Sequence, residues 1–242
     1  MSESLVRLKD VEVSFASGGI KKTEKQVLKG VSFDIKPGEI LGLAGESGSG
    51  KTTIAKVILK MVDIKAGSME RTTNHPQMIF QDPYGSLNPA YNISWIMQEP
   101  LRMSTKLNAA QRQEKVIGML KEVGLDETYM ERKPGELSGG QRQRICIGTA
   151  LMREPRLLIA DEPVSALDVT VASQVLALLK RLHEEKNISI LFISHDLRTM
   201  YNFCDRIMIL REGRIIEEGA PKELYKNPKE EYTKLLLASA GI

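Results

Sequence analysis

Cysteine is nearly absent from this chain: there are two in 242 residues, Cys146 and Cys204, far apart and in no metal-binding spacing. They read as reduced thiols of an intracellular protein, not as a disulfide frame or a zinc site. The three histidines, His75, His183 and His195, form no His-x-x-x-His pair, so no zinc centre is written here either. Aromatic residues are scarce at 5%, which leaves little for a base-stacking platform, and a net charge of +3 supplies no concentrated basic face. Nucleic acid is therefore not an expected partner. Long apolar runs are missing as well. LLIA at 157–160 and ISILFIS at 188–194 are strand-sized, far below the ~18–20 residues a helix needs to cross a bilayer. Any membrane role must come from a partner. The stretch MSESLVRLKD is charged and lacks an apolar core, so it does not read as a signal peptide. What remains is 42% hydrophobic and 27% charged. That is an ordinary soluble composition, at a length suited to one domain with an inserted subdomain.

The apolar pattern divides the chain. LVRLKDVEVSF at 5–15 alternates and predicts a half-buried strand; GGIKKTEK at 18–25 reads as a solvated turn; VLKGVSFDI at 27–35 predicts a second strand, closed by Pro37-Gly38. ILGLAG at 40–45 is a continuous apolar run ending in glycine, the mark of a buried parallel strand. TTIAKVILKMV at 52–62 has helical periodicity. Between about 90 and 155 the pattern is helical, with a helix over 109–125 ended by Gly124 and another from LSGG to about Met152. The strand–helix rhythm returns with LLIADE, VTVASQVLALLKRLHEE, ISILFISH and a helix at 197–203. RIMILREGRIIEEG at 206–219 is a hairpin turning at Glu212-Gly213, and the last stretch is helical with a break at Pro228. The fold class is thus α/β, interrupted by a helical insertion.

GESGSGKTT at 45–53 matches the phosphate-loop pattern, after a predicted strand and before a predicted helix. Gly45, Gly48 and Gly50 let the backbone wrap close, so that the amides of Glu46, Ser47, Ser49 and their neighbours point at phosphate oxygens. Lys51 supplies a point charge for the β- and γ-phosphates, Thr52 a hydroxyl for Mg²⁺, and Thr53 continues the helix start. LLIADEP at 157–163 ends an apolar strand in two carboxylates. In a phosphate-loop protein Asp161 holds Mg²⁺, and Glu162, pointing differently, is placed as general base for the attacking water. Alone, this set predicts only nucleoside triphosphate binding with hydrolysis. LSGGQRQR at 137–144 adds a second helix start with bare amides, a feature otherwise read as a turn or cap.

With these motifs in order, and with Gln81 in FQDP, SALD at 165–168 and SHD at 194–196, the chain resembles the ATP-binding subunit of ABC transporters along nearly its whole length. The resemblance implies a P-loop NTPase core with an antiparallel β-subdomain and an inserted α-helical subdomain. Residues 1–80 and 156–242 would form the core and β-subdomain, and about 82–155 the helical subdomain. It implies ATP and Mg²⁺ as cofactors, with Thr52, Gln81 and Asp161 around the metal. Ser138, Gly139, Gly140 and Gln141 would be the signature that meets ATP held by a second subunit. Asp168 would lie at the dimer interface, and His195 would reach the γ-phosphate. That histidine read alone is a structural residue after a strand. Phe15 falls where the family often carries an adenine-stacking tyrosine. By strand alternation it also shares a face with Val11 and Val13, so core packing and adenine stacking both stay open.

FQDPYGSLNP at 80–89 and SALDVTVASQVLALL at 165–179 resemble the importers of peptides, nickel and related small solutes. The tail NPKEEYT at 227–233 resembles that branch's ending, with Glu230 and Glu231 in place of a common His-Pro. The stretch from Lys51 to Gln81 is short for the family and implies a trimmed β-subdomain. YGSLNP is turn-rich, and Tyr84 beside it suits docking of a partner helix. The expected partners are integral membrane permease subunits, a second, different ATPase chain, and indirectly an extracytoplasmic solute-binding protein. The expected location is the cytoplasmic face of the cell membrane. Two other classes are a soluble ATPase of repair or translation and a non-hydrolytic regulatory module. The absence of a long coiled-coil insertion opposes the first, and intact Lys51, Glu162 and His195 oppose the second.

Overall fold

The computed structural model of the chain describes residues 4–17 and 23–242. Two antiparallel strands open it, β1 (Val6–Ser17) and β2 (Thr23–Ile35). Of the turn expected at 18–25, residues 18–22 lie outside the described residues and 23–25 belong to β2. Next come β3 (Ile40–Ala44), α1 (Lys51–Ile58), β4 (Ala66–Arg71) and β5 (Gln77–Ile79). Four helices follow without a strand: α2 (Pro83–Ser86), α3 (Ile93–Ser104), α4 (Ala109–Glu122) and α5 (Gly139–Leu151). The chain then runs through β6 (Leu157–Asp161), α6 (Val169–Lys186), β7 (Ser189–Ile193), α7 (Leu197–Phe203), β8 (Arg206–Arg211), β9 (Arg214–Gly219), α8 (Pro221–Lys226) and α9 (Glu231–Ser239).

The strands make two sheets. One is three-stranded and antiparallel, in the order β2-β1-β4. The other has six strands in the order β5-β6-β7-β3-β8-β9, parallel except for the antiparallel edge strand β9. Central strands β3, β6 and β7 are buried at every position. A parallel sheet covered on both faces requires such continuous apolar runs. Successive side chains point to opposite faces, and the core divides accordingly. Leu41, Leu43, Leu157, Ile159, Leu191, Ile193, Met208 and Leu210 pack with α1 and the small sheet. Ile40, Ala44, Leu158, Ala160, Ile190, Phe192, Ile207 and Ile209 pack with the helices on the other side.

Several sequence expectations change in detail. Helix α1 stops at Ile58, not at 62, because Lys60 turns left-handed at φ 58° and ends the hydrogen-bond ladder. The segment after it contributes β4, which pairs with β1 as the third strand of the small sheet. Phe15 does not share the core with Val11 and Val13. It is 41% exposed, whereas both valines are fully buried. The β1–β2 ladder shifts register between Val13 and Ser14 and then runs on past the last covered pair, Val13–Leu28, into solvent. Both cysteines are free and buried, as reduced thiols should be, and burial pushes the Cys146 thiol up to about 12. Among the described residues, no helix is long and apolar enough to cross a membrane.

Phe192 is the largest fully buried side chain, and its ring lies against Phe203 at 4.7 Å between centroids. Phe192→Ala should cost about 3–5 kcal/mol of stability, read as a lowered midpoint in urea unfolding. A midpoint within error of the parent would contradict this packing.

Candidate functional site

The carboxyl ends of β3, β6 and β7 lie side by side, the position where open parallel sheets hold ligands. The chain leaves β3 at Gly45, whose α-carbon sits so close to strand β8 that an added Cβ would fall 2.2 Å from the Leu210 carbonyl oxygen. Only glycine fits there. Five residues later Gly50 (φ 113°) begins α1 without any side-chain cap, so the first amides of the helix stay open. A helix start with open amides attracts anions. The loop rests on the β8–β9 hairpin, through the Gly213 N–H donating to the Ser49 carbonyl at 3.0 Å.

Lys51 is buried, and its Nζ donates to the carbonyls of Gly45 (2.7 Å) and Glu46 (2.9 Å). Burial holds its pKa below the ordinary lysine value, against the pull of Glu162, Asp161 and Glu46. The Thr52 hydroxyl donates to Asp161 Oδ2 at 2.9 Å. Burial raises the Asp161 pKa, the Thr52 bond lowers it, and the Glu162 charge raises it again, leaving the carboxyl above its ordinary range. Consecutive strand residues should face opposite ways, yet Asp161 and Glu162 line one cavity. Glu162 achieves this by a left-handed backbone, φ 51°, which is uncommon outside glycine. Its N–H still donates to the Ile193 carbonyl at 2.9 Å, while its side chain turns to His195. The His195 Nδ1 lies 2.8 Å from Glu162 Oε2 and 2.9 Å from Oε1. His195 is largely exposed and Glu162 is buried.

These side chains line a cavity of about 450 Å³ together with Ser47, Gly48, Thr53, Val27 and Gln81. Ser47, Gly48, Gly50, Lys51, Thr52 and Thr53 of the loop, both carboxylates, Gln81 and His195 thus meet at one cavity. Gly45, Glu46 and Ser49 do not line it, and the Ser49 N–H, expected to point at phosphate, donates to the Glu46 carbonyl at 3.2 Å. Among the described residues, no three His, Cys, Asp or Glu side chains cluster to cage a metal unaided. One carboxylate and one hydroxyl, with phosphate and water completing the shell, is the donor set that suits Mg²⁺.

The signature lies elsewhere. Ser138 caps α5, accepting from the Gln141 N–H at 3.3 Å, while the Gln141 side chain accepts from the Ser138 N–H at 2.9 Å. Neither these two nor Gly139 and Gly140 line the phosphate cavity. Gly140 is pressed onto α6, where an added Cβ would meet Val171 at 2.4 Å. Asp168 caps α6, accepting from the Val171 N–H at 2.9 Å, and so stands beside the signature. Phe15 stays on the exposed part of the β1–β2 ladder.

Two residues of the neighbourhood escaped the sequence reading. Arg142 is buried, donates to the Pro134 carbonyl at 2.6 Å, and sits 3.6 Å over the ring of Tyr84. It ties the signature helix to the segment after Gln81. Tyr232 of α9 reaches the phosphate loop itself and accepts from the Glu46 N–H at 3.3 Å. A basic residue after LSGGQ, and a tyrosine in the tail motif, were the only signals for either.

A family profile described as ABC transporter matches residues 28–165. The chain is 42% identical to the oligopeptide transport ATP-binding protein OppF of Streptococcus pyogenes over 259 aligned positions, covering 100% of this chain and 83% of that one. It is 40% identical to the dipeptide transport ATP-binding protein DppF of Escherichia coli, over 88% of this chain and 69% of that one. Among solved structures it superposes on the dimeric ATP-binding cassette MJ0796 in a post-hydrolysis state with ADP and Pi, with TM-score 0.77 and 28% identity over 89% of this chain and 98% of that one. It also superposes on cbiO1 of Clostridium perfringens, part of the cbiONQ transporter complex, with TM-score 0.81 and 25% identity over 93% of this chain and 91% of that one.

A buried carboxyl with a raised pKa costs stability once it ionises. Asp161→Asn keeps an acceptor for Thr52 but removes that charge. Without nucleotide, the variant should unfold at a higher temperature than the parent at pH 7. The gap should close as falling pH protonates the parent's Asp161. A lower melting temperature for the variant at pH 7 would contradict this account.

Proposed function

The chain belongs to the ABC transporter family as an ATP-hydrolysing subunit, and from that premise we propose that it is the motor of a peptide importer. The observation that carries the catalytic half is the Glu162–His195 contact at 2.8 Å, set beside the Thr52–Asp161 pair at the mouth of the phosphate loop. In this reading Lys51 leaves the loop carbonyls and meets the β- and γ-phosphates, whose other oxygens take the open amides of the loop. Thr52 and Asp161, with Gln81 near them, would hold Mg²⁺, which would supply positive charge against the developing phosphate charge. Glu162 accepts a proton from the attacking water, and His195 orients both the carboxylate and the γ-phosphate. The exposed ring of Phe15 is free to stack on adenine.

The signature's position outside its own phosphate cavity supports a two-chain site. Ser138, Gly139, Gly140 and Gln141 of one chain then close over ATP held by the other, with Asp168 at the same interface. The second chain is a different ATPase subunit. Residues 1–80 and 156–242 act as the nucleotide-holding core, and about 82–155 as the helical subdomain that meets the permease. Tyr84, 64% exposed, gives that subdomain an aromatic contact for a partner helix. The chain sits peripherally on the cytoplasmic face, with a solute-binding protein serving the same permease outside. Peptide is favoured over nickel as cargo because the OppF and DppF relatives carry peptide names.

Two variants separate the parts of this reading. Glu162→Gln should abolish phosphate release, by at least about 10² as befits a general base, while retaining ATP and trapping the closed dimer. Ser138→Arg should leave ATP binding to the isolated chain nearly intact and abolish both closure and turnover. Normal hydrolysis by the first variant, or normal closure by the second, would sink the corresponding role. For the cargo, cells lacking the chain should lose uptake of a labelled oligopeptide and keep uptake of nickel. The reverse result would reassign the substrate.

A further inference from the structure

The tail motif NPKEEYT has no part in the mechanism above, yet its tyrosine ends on the phosphate loop. The Glu46 N–H donates to the Tyr232 hydroxyl at 3.3 Å across 186 residues of chain. Tyr232 is 6% exposed. Burial, with the Glu46 carboxylate close by, raises its phenol pKa, so the hydroxyl stays neutral. Arg211, at the end of β8, lies over the Tyr232 ring at 4.7 Å.

The tail is held on the same hairpin that seats the loop. The Glu217 carboxylate of β9 accepts from the Lys229 N–H at 2.8 Å and from the Glu230 N–H at 3.1 Å, just before α9 begins. From β8 and its turn, Leu210 crowds Gly45 and Gly213 bonds to Ser49. Loop, hairpin and tail therefore close a triangle, with Tyr232 as the link from tail to loop. A short glycine-rich loop has many conformations, and fixing it before a ligand arrives lowers the entropic cost of binding.

We propose that Tyr232 is a positioning residue for the phosphate loop: the carboxy-terminal helix is a clasp that pre-forms the nucleotide site. Tyr232 touches no phosphate and takes no proton. It satisfies one loop amide and so keeps the others aimed into the cavity. The proposal rests on the nucleotide-binding reading, and parent binding of a fluorescent ADP tests that reading by itself.

The test of the clasp compares Tyr232→Phe with Tyr225→Phe in the full chain. Tyr225, in α8 of the same tail, donates its hydroxyl to the Leu197 carbonyl at 2.6 Å and has no bond to the loop. Each variant removes one tyrosine hydroxyl and keeps the ring. ADP is the probe because it occupies the loop but carries no γ-phosphate for His195. Loss of one net hydrogen bond should weaken ADP binding by Tyr232→Phe roughly two- to tenfold, and Glu46 amide exchange should accelerate. Tyr225→Phe should change neither. Unchanged affinity and exchange in Tyr232→Phe would overturn the clasp. So would an equal loss of affinity in both variants, which marks a general loosening of the tail.

Discussion

Everything in the candidate site depends on the pairing of β3 between β7 and β8. Those three strands, with β6 beside β7, bring four distant parts of the chain to one edge: the loop after Gly45, the acids at 161 and 162, His195, and the β8–β9 turn. The register is guarded by the core. A slip of one residue would exchange the side chains facing α1 with those facing the helices on the other side. Leu43 and Ile193 would then leave one core, and Ala44 and Phe192 the other. The 2.9 Å contact between Thr52 and Asp161 is thus fixed by packing that involves neither residue's polar atoms.

The site is assembled at a cost in stability. Lys51 and Asp161 are buried with pKa values displaced in opposite directions, each toward its neutral form. Glu162 keeps a left-handed backbone, an arrangement worth about 1–3 kcal/mol of strain. The first two costs would be reduced by ligands of the right charge, an anion for the lysine and a cation for the aspartate; the backbone strain at Glu162 would not. Departures from the most stable arrangement that coincide in one cavity indicate function more strongly than any one of them alone.

Much of this was legible in the sequence, for identifiable reasons. The buried strands β3, β6 and β7 are short continuous apolar runs, and the phosphate loop follows from glycine spacing alone. The hairpin at Glu212-Gly213 was readable because both residues adopt positive φ, as the turn demands. Strand β4 was not readable: AGSMER is mostly exposed and carries no apolar alternation, so only its pairing with β1 reveals it. Phe15 stayed open between core and surface because alternation predicts a face but not where the covering layer ends. The sequence put Asp161 and Glu162 at one site with different roles, and what it did not carry is the left-handed backbone of Glu162 that lets both line one cavity. The Tyr232–Glu46 and Arg142–Tyr84 contacts span 186 and 58 positions, and no periodicity encodes contacts at such separations.

The placement of the two helix starts constrains the assembly. Gly140 leaves room for Val171, so α5 begins hard against α6, and the caps Ser138 and Asp168 share one surface. Beside them Val169 is 84% exposed, an apolar side chain at a position where water gives it nothing. The phosphate cavity opens elsewhere on the chain, walled by α1 and the strand ends. Ser138, Gly139, Gly140 and Gln141 on this surface do not line that cavity. That separation is what the two-chain proposal explains: the signature would meet ATP held by a facing molecule. Under the two-chain reading proposed above, closure would also cover the exposed apolar surface around Val169.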